Sequence, residues 1–557
     1  MDDAFRADMA AAYTFNEPVI VLGSPIQGDE VDPGVRVSLP LSRVNRHGLI
    51  AGATGTGKTK TLQLLAGQLS AAGVPVFAVD VKGDLSGVGM PGDPTNPAVM
   101  ARVESMNLTF VPRGAPVEIL SLSGATGAHV RASVSSFGPL LLGKVLDLND
   151  TQTSILSLVF RYCDDEDLPL LDLADLRTTL KFLGSEEGKP ILADLGGISP
   201  ASLGVILRSI VTVEQEGADV FFGEPEFDVD DLLRITPDGK GVVTLLEVAD
   251  VMDRPRLYST FVLWMLAQLY EQLPEMGDLP KPKLAFFFDE AHLLFKDASD
   301  ALMEQIERTA RLIRSKGVGV YFVTQAPTDV PSSVLSQLGN RVQHALRAFT
   351  PEDADALRKA ARTFPMTDHY DVERTLTSLG IGEAFVTVLN AKGVPTALAA
   401  TRLVPPDSRM APMTPDEIAA LVAASPFAAK YNTAVDPESA HEIITARLTN
   451  AKAAAATAAA QAELREQVSP TTADGLGKMT PAQQRREIER RARELEAARR
   501  AAERERKAQE KQAAALERER QRTMRATVNT VGKVIGSRGT QSLIRGVFDT
   551  IFGGGKR

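Results

Sequence analysis

Eight consecutive residues form the run with the clearest chemical meaning, Gly52-Ala53-Thr54-Gly55-Thr56-Gly57-Lys58-Thr59. Its glycines let the backbone turn tightly and point N–H groups at phosphate oxygens, and a helix predicted to begin there adds its dipole. In this pattern the Lys58 ammonium reaches the β- and γ-phosphates, and the Thr59 hydroxyl is a ligand of Mg²⁺. The run therefore predicts a binding site for ATP and Mg²⁺.

A pair of carboxylates follows a strongly apolar run further along the chain. Leu284 to Phe288 is predicted to be a buried strand, and Asp289 and Glu290 come directly after it. Because ligands bind at the carboxyl ends of parallel strands, these acids are expected beside the phosphate loop. There Asp289 would hold Mg²⁺, and Glu290 would orient and deprotonate the attacking water. Two acids after a strand also suit an ordinary helix start, so the pairing with the first motif is what favours catalysis.

Polar residues around another buried strand supply further candidates. The strand Val318 to Thr324 is followed by Gln325, whose amide is expected to sense the γ-phosphate or the attacking water; a plain polar cap is the alternative. Phosphoryl transfer also gains from an arginine on the transferred group, often supplied by a neighbouring subunit. The arginine candidates, of which Arg314 is favoured and Arg341 comes second, are Arg311, Arg314, Arg341 and Arg347. Any single arginine is more often a surface ion-pair partner.

These side chains require strands that end at one edge of a sheet. Leu49 to Ala51 is predicted to be a strand entering the phosphate loop, and Val76 to Val79 a second strand that ends in Asp80. Strands that alternate with helices indicate a parallel sheet with both faces covered, so the predicted class is α/β. The turn from Asp80 to Asp84 faces the same edge. It either assists the metal or a substrate loop, or is an ordinary strand-end turn.

Shifts in composition divide the chain into seven predicted segments. The region between about Gly124 and Gly239 has helical periodicity with acidic turns. The last pair of predicted strands, Ala384 to Leu389 and Pro395 to Arg402, is expected to form a hairpin. The segments are a short β lead-in (1–45), a first ATPase-core part with the phosphate loop (46–123), a helical insertion (124–239), a second core part with the acidic motif, sensor and arginines (240–405), a helical and linker region (406–479), a long charged helix (480–527) and a glycine-rich apolar segment (528–557).

Charge is distributed unevenly along the chain. Residues 451–557 carry 23 Lys/Arg against 13 Asp/Glu, whereas the first 450 carry 38 against 58. A basic tail on an acidic body indicates local contact with a polyanion, or a solvated helix with surplus arginine. The chain start lacks a signal-peptide pattern, no apolar run is long enough to span a membrane, and the lone Cys163 cannot form an internal disulfide. A cytoplasmic protein without a membrane partner is expected.

The order of the motifs resembles that of a known superfamily. Asn45 to Thr59, Phe288 to His292, Arg311-x-x-Arg314-x-x-Gly317 and Thr324-Gln325 together resemble the HerA–FtsK superfamily, most closely the HerA-helicase-like (YjgR-type) bacterial ATPases. The resemblance covers roughly residues 15–405 and the charged tail.

This resemblance implies a particular fold and a particular oligomeric assembly. It implies a RecA-like sheet with an additional strand between those of the two nucleotide motifs. It further implies a ring, expected to be a hexamer, with ATP at subunit interfaces and an arginine finger acting in trans. Members of known role pump double-stranded DNA. The roughly 45 residues ahead of the ATPase are too few for the β-barrel of HerA proper, so the nuclease partner and the DNA-end processing of HerA are not expected to carry over.

Three functional hypotheses remain open at the level of sequence. The favoured one is an ATP-driven nucleic-acid translocase or helicase-like ATPase, with DNA the preferred partner. The second is an ATPase that remodels or assembles a protein partner through the charged helix from Thr480. The third is a nucleotide-dependent switch with negligible turnover.

Overall fold

A thirteen-stranded sheet organises the described part of the chain. The structure, a computed structural model, describes residues 1–195, 198–277, 279–295, 300–467 and 490. The predicted charged helix (480–527, apart from Arg490) and the glycine-rich segment (528–557) therefore lie outside the described residues. The chain divides into two units, Met1–Asn450 and Ala451–Arg557. The sheet and all motifs treated below belong to the first.

The strands are short and mostly buried. In chain order they are β1 (Val19–Gln27), β2 (Glu30–Val31), β3 (Val37–Pro40), β4 (Gly48–Ala51), β5 (Val76–Asp80), β6 (Val117–Ser121), β7 (Ala128–His129), β8 (Val243–Glu247), β9 (Leu284–Phe288), β10 (Val318–Thr324), β11 (Asn340–His344), β12 (Glu383–Thr387) and β13 (Ala399–Leu403).

The helices connect and cover these strands. They are α1 (Asp3–Tyr13), α2 (Lys58–Ala71), α3 (Pro97–Ser105), α4 (Val134–Val145), α5 (Asp150–Asp165), α6 (Leu173–Leu183), α7 (Lys189–Asp194), α8 (Pro200–Gln215), α9 (Pro255–Gln272), α10 (His292–Phe295), α11 (Asp300–Leu312), α12 (Ser332–Leu335), α13 (Pro351–Ala361), α14 (Val372–Ser378), α15 (Pro415–Ala424), α16 (Pro426–Tyr431) and α17 (Ala440–Gln467).

The strand order brings the predicted motifs to one edge. The sheet runs β2-β1-β13-β12-β11-β4-β10-β9-β5-β8-β6-β7, with β3 paired to β1. Pairing is parallel from β11 through β7 and antiparallel from β11 through β1. Strand β10 lies between β4, which enters the phosphate loop, and β9, which delivers the acids. The predicted α/β class and the additional strand are both confirmed, and β12–β13 is the expected antiparallel pair.

Both faces of the sheet are covered, because successive side chains of each strand point to opposite sides. In β9, Phe286 and Phe288 belong to the core under helices α4–α9, whereas Phe287 belongs to the core that includes α1 and α2. In β4, Leu49 joins the first of these cores and Ile50 the second. Alternating burial on two sides explains why these strands are almost continuously apolar.

The first segment differs from the expected short β pieces, because it opens with helix α1. The Asp2 side chain caps this helix by accepting the N–H of Ala4. Phe5, Met9 and Tyr13 follow at four-residue spacing, and all three are buried. That spacing places them on one helical face, which packs against β1 and β3 of the same segment.

Five helices, α4 to α8, lie between β7 and β8, within the range predicted as a helical insertion. No helix in the described part of the chain is long and apolar enough to cross a membrane.

Candidate nucleotide-binding site

The phosphate loop connects β4 to α2, with glycine at each position that demands unusual backbone. Gly52, Gly55 and Gly57 have φ values of +157°, +78° and +114°. A Cβ on Gly52 would lie 2.4 Å from the Cβ of His344, so the loop passes too close to β11 for a side chain. Gly57 immediately precedes the first turn of α2, whose free N–H groups and dipole favour an anion. The loop is therefore a cradle of the kind that binds phosphate.

Lys58 and Thr59 begin α2 at the mouth of this cradle. Lys58 Nζ donates to the carbonyl oxygens of Gly52 at 2.7 Å and Ala53 at 3.3 Å. Burial lowers the pKa of this ammonium, since desolvation disfavours its charge. Thr59 is half-buried beside it. The lysine thus lies directly over the loop, within reach of the anion that the loop would hold.

Asp289 and Glu290 leave β9 at the same edge of the sheet. The Glu290 N–H donates to Asp289 Oδ1 at 2.9 Å, and Glu290 has a left-handed backbone with φ +47°. Burial, together with the negative charge of Glu290, raises the pKa of Asp289 to about 7. Two half-buried carboxylates side by side call for a counter-charge, which a divalent cation supplies.

The Glu290 carboxylate lies between two basic side chains. Lys82 Nζ lies 3.1 Å from its Oε1 and His292 Nδ1 lies 3.5 Å from its Oε2. Glu290 Oε2 is buried and makes no hydrogen bond within the described residues. A buried acceptor without a donor suits the binding of a water or another proton donor.

These observations test whether the residues fit Mg²⁺. The described residues contain no group of three or more His, Cys, Asp or Glu able to hold a metal by themselves. Mg²⁺ in phosphoryl-transfer sites is typically bound by one or two protein ligands together with substrate phosphates and water. The hydroxyl of Thr59 and the carboxylate of Asp289, at the edge of a phosphate cradle, fit that requirement.

Gln325 follows β10 between the loop and the acids. Its side chain is exposed. The neighbouring Thr324 donates from Oγ1 to Asp329 Oδ2 at 2.6 Å, and the N–H of Ala326 donates to the same oxygen at 2.9 Å. These two bonds fix the backbone on both sides of Gln325 and leave its amide open to the edge.

An apolar cavity of about 220 Å³ adjoins the phosphate loop, and no sequence motif indicates it. Gly57, Lys60 and Thr61 form its side nearest the loop. The remaining walls come from α2, from α3 and from the segments around β12 and β13: Leu64, Ala98, Val99, Arg102, Ile381, Gly382, Leu403, Val404, Pro405, Pro406 and Met410. The Gly382 N–H donates to the Thr56 carbonyl at 3.0 Å, which joins the two parts. This pairing spans more than three hundred residues, so no local pattern could have indicated it.

The predicted arginines do not lie at this edge. Arg311, Arg314, Arg341 and Arg46 line a cavity of about 440 Å³ at the amino ends of the parallel strands. Arg314 precedes β10 and Gln325 follows it, so the seven residues of that strand separate them by about 23 Å. Arg341 already donates to the carbonyls of Leu335, Leu338 and Thr363.

Arg347 is the exception among these candidates. It follows β11 on the loop side and donates to the Thr377 carbonyl at 2.7 Å. Arg314, by contrast, is exposed. The subunit's own phosphate loop is thus out of reach of Arg314, and the guanidinium of Arg341 is engaged by carbonyls outside the loop.

Comparisons with known proteins show the family to which the chain belongs. The family model for the helicase HerA-like C-terminal region matches residues 27–557. A DNA double-strand break repair helicase HerA of Sulfolobus acidocaldarius is 22% identical over 67% of this chain and 68% of its own length. One from Pyrococcus furiosus is 25% identical over 64% of this chain and 65% of its own length.

Solved structures that align with the chain are more distant in sequence. Plasmid coupling protein TrwB in complex with ADP and Mg²⁺ is 14% identical, with a TM-score of 0.46 over 72% of this chain and 97% of that one. VirB4 of Thermoanaerobacter pseudethanolicus is 13% identical, with a TM-score of 0.46 over 70% and 97%.

Proposed function

The chain belongs to the helicase HerA-like C-terminal family, and from this premise we propose that it is an ATP-driven motor that translocates double-stranded DNA. It is a P-loop ATP hydrolase. The observation that carries the proposal is the meeting of the phosphate loop, the Asp289–Glu290 pair and Gln325 at one sheet edge. DNA is the favoured partner because the relatives above are named as DNA repair helicases.

Each residue of this edge has a distinct role in the proposed hydrolysis. The loop N–H groups and Lys58 bind the phosphates, and Thr59 with Asp289 would hold Mg²⁺. Bound there, Mg²⁺ would neutralise charge on the phosphate oxygens. Glu290 accepts the proton of the attacking water, while the Gln325 amide orients that water.

The apolar cavity beside the loop is proposed to take the adenine. Gly57 and Lys60 line it, so it adjoins the loop that would hold the phosphates to which the base is linked. The Arg102 guanidinium closes one wall and is fixed by donating to the Gly382 and Ile381 carbonyls at 2.8 and 2.9 Å. A cavity that is largely apolar with few fixed polar groups is the usual form of a nucleoside site.

The arginines at the opposite edge support a site completed by a neighbouring copy. Among the described residues lining that cavity there are four arginines and no Asp or Glu, so it suits an anion. Arg314 is the preferred finger because its side chain is exposed, whereas Arg341 is engaged with backbone carbonyls. Head-to-tail contacts that close produce a ring, and a hexamer is proposed.

ATP turnover with and without duplex DNA tests the function. Phosphate contacts release counterions, so a DNA-translocating motor should hydrolyse ATP several-fold faster with duplex DNA at low salt. This stimulation should decline steeply between about 50 and 200 mM salt. Turnover that is indifferent to duplex DNA, single-stranded DNA and RNA at low salt would overturn the proposal. It would leave the protein-remodelling hypothesis as the alternative.

A further inference from the structure

Lys82 is a charged residue of the nucleotide edge to which the proposed hydrolysis gives no role. It lies two residues after β5, in the turn that joins this strand to the next segment. Its Nζ is 3.1 Å from Glu290 Oε1, and its side chain is about half exposed. The contact joins the ends of two adjacent parallel strands, because β5 pairs with β9.

The turn that carries Lys82 is built on a buried carboxylate. Asp80, which is fully buried, accepts the N–H groups of Lys82, Asp84 and Leu85 at 3.3, 3.1 and 2.8 Å. Gly83 supplies the left-handed backbone that the turn needs, with φ +69°. The backbone beneath Lys82 is therefore fixed, and the long side chain extends from a rigid base.

Glu290 itself leaves its strand in a conformation that an L-residue adopts reluctantly. Its φ of +47° costs free energy that surrounding contacts must offset. Lys82 binds one carboxylate oxygen, whereas the other, Oε2, lies 3.5 Å from His292 Nδ1 and makes no hydrogen bond within the described residues. One oxygen is thus anchored while the second is left as an acceptor.

We propose that Lys82 is a positioning residue for hydrolysis, which anchors Glu290 Oε1 so that Oε2 faces the attacking water. The proposal rests on the proposed function, in which Glu290 is the base. In the step concerned, the water oxygen forms a bond to the γ-phosphorus and the bond from that phosphorus to the β,γ-bridging oxygen breaks. The water proton moves to Glu290 Oε2, and Lys82 keeps its own protons throughout.

Steady-state ATP hydrolysis by three variants of the full chain tests this role. Lys82→Met should lower kcat about tenfold, which is part of the 10²- to 10⁴-fold that a general base contributes, and leave the KM for ATP unchanged. Lys82→Arg should restore most of kcat, since a guanidinium also anchors a carboxylate. Lys189→Met is the matched control, because it removes a Lys–Glu ion pair with Glu186 in the helices between β7 and β8. It should hydrolyse ATP at the parent rate.

Combining Lys82→Met with Glu290→Gln separates positioning from a structural effect. If Lys82 acts through Glu290, the double variant should be no slower than Glu290→Gln alone. An additional tenfold loss in the double variant, or a parent-like kcat for Lys82→Met, would overturn the inference. A parent-like rate for Glu290→Gln alone would instead overturn the proposed base. Lys82→Gln, with a similar neutral chain, supplies the same comparison should Lys82→Met fail to fold.

Discussion

Glu290 is the residue on which the proposed chemistry depends. Glu290→Gln keeps the shape of the side chain and removes its basicity, so kcat should fall at least about 100-fold. Binding of ATP should persist, because the loop and Lys58 hold the phosphates. The measurement is steady-state hydrolysis together with titration of a fluorescent ATP analogue. Glu373→Gln, on an exposed position of α14, should match the parent; a Glu290→Gln rate within about threefold of it would contradict the assignment.

Glu247 gives a prediction about stability and pH. It lies opposite Asp80 in the β5–β8 register, and burial together with the Asp80 charge raises its pKa to about 8. Because the unfolded value is about 4.3, the folded state holds an extra proton between these values. The contribution of the Glu247 carboxyl to folding stability is therefore fully present below about pH 4, and it is lost as the pH rises through 8.

Glu247→Gln mimics the protonated form and should remove that dependence. The variant and the parent should unfold at similar denaturant concentrations at pH 4, whereas at pH 8.5 the variant should be the more stable. Equilibrium urea unfolding at the two values measures this. A parent that gains stability relative to the variant as the pH rises would contradict the raised pKa.

At this scale the sequence was informative where chemistry is local. The loop and the acids after β9 are recognisable because their residue types and spacing carry the function. The partner of Lys82 was not recognisable, since the contact depends on β5 lying beside β9. The sequence is compatible with either a metal-assisting or a turn-forming role for Asp80. Its bonds to three backbone N–H groups favour the turn.

Among the elements, the buried strands were predictable and the first helix was not recognised. β5, β9 and β10 have the predicted bounds, because apolar runs rich in branched and aromatic residues suit strands buried on both faces. The helical signal of α1 lies in the four-residue spacing of Phe5, Met9 and Tyr13, and it is short beside the β-prone pieces that follow it. β7, of two residues, is too short for any periodic pattern.

The segment before β12 provides a prediction about nucleoside binding. Ile381 is 74% exposed yet lines the apolar cavity beside the loop, so a bound adenine would cover it. Ile381→Ser should raise the KM for ATP about tenfold with little change in kcat, which corresponds to about 1.4 kcal/mol of lost apolar contact. Ile235→Ser, which removes another exposed isoleucine, is the control. An unchanged KM would show that the adenine binds elsewhere.

For the whole molecule, Arg314 and the phosphate loop lie at opposite edges of the sheet. This separation predicts that ATP hydrolysis requires a neighbouring copy of the chain. Arg314→Ala and Glu290→Gln should each be nearly inactive. In mixed rings, a subunit with an intact Glu290 can meet a neighbour with an intact Arg314, so mixing the two variants should restore part of the ATP turnover. Turnover is measured after co-incubation across mixing ratios. A mixture no faster than its separate components would show that Arg314 does not act in trans.

The number of copies in the assembled particle cannot be predicted from the sequence pattern of one chain. The strand order places Arg314 and the phosphate loop at opposite edges of the sheet, but a contact between copies depends on surfaces that no intrachain periodicity records. Mass measurement of the nucleotide-bound particle should give a multiple of 59.7 kDa corresponding to a closed ring, with six copies expected. A monomer under conditions of full ATP turnover would contradict a site shared between subunits.

Displacement of a labelled third strand from a DNA triplex tests the central claim most directly. A motor that moves along double-stranded DNA should release the third strand with ATP and not with a non-hydrolysable analogue, and Glu290→Gln should release none. Release should require a stretch of duplex on which the protein can start. If the parent hydrolyses ATP faster with DNA but leaves the triplex intact at every duplex length, the protein is a DNA-responsive ATPase and not a translocase.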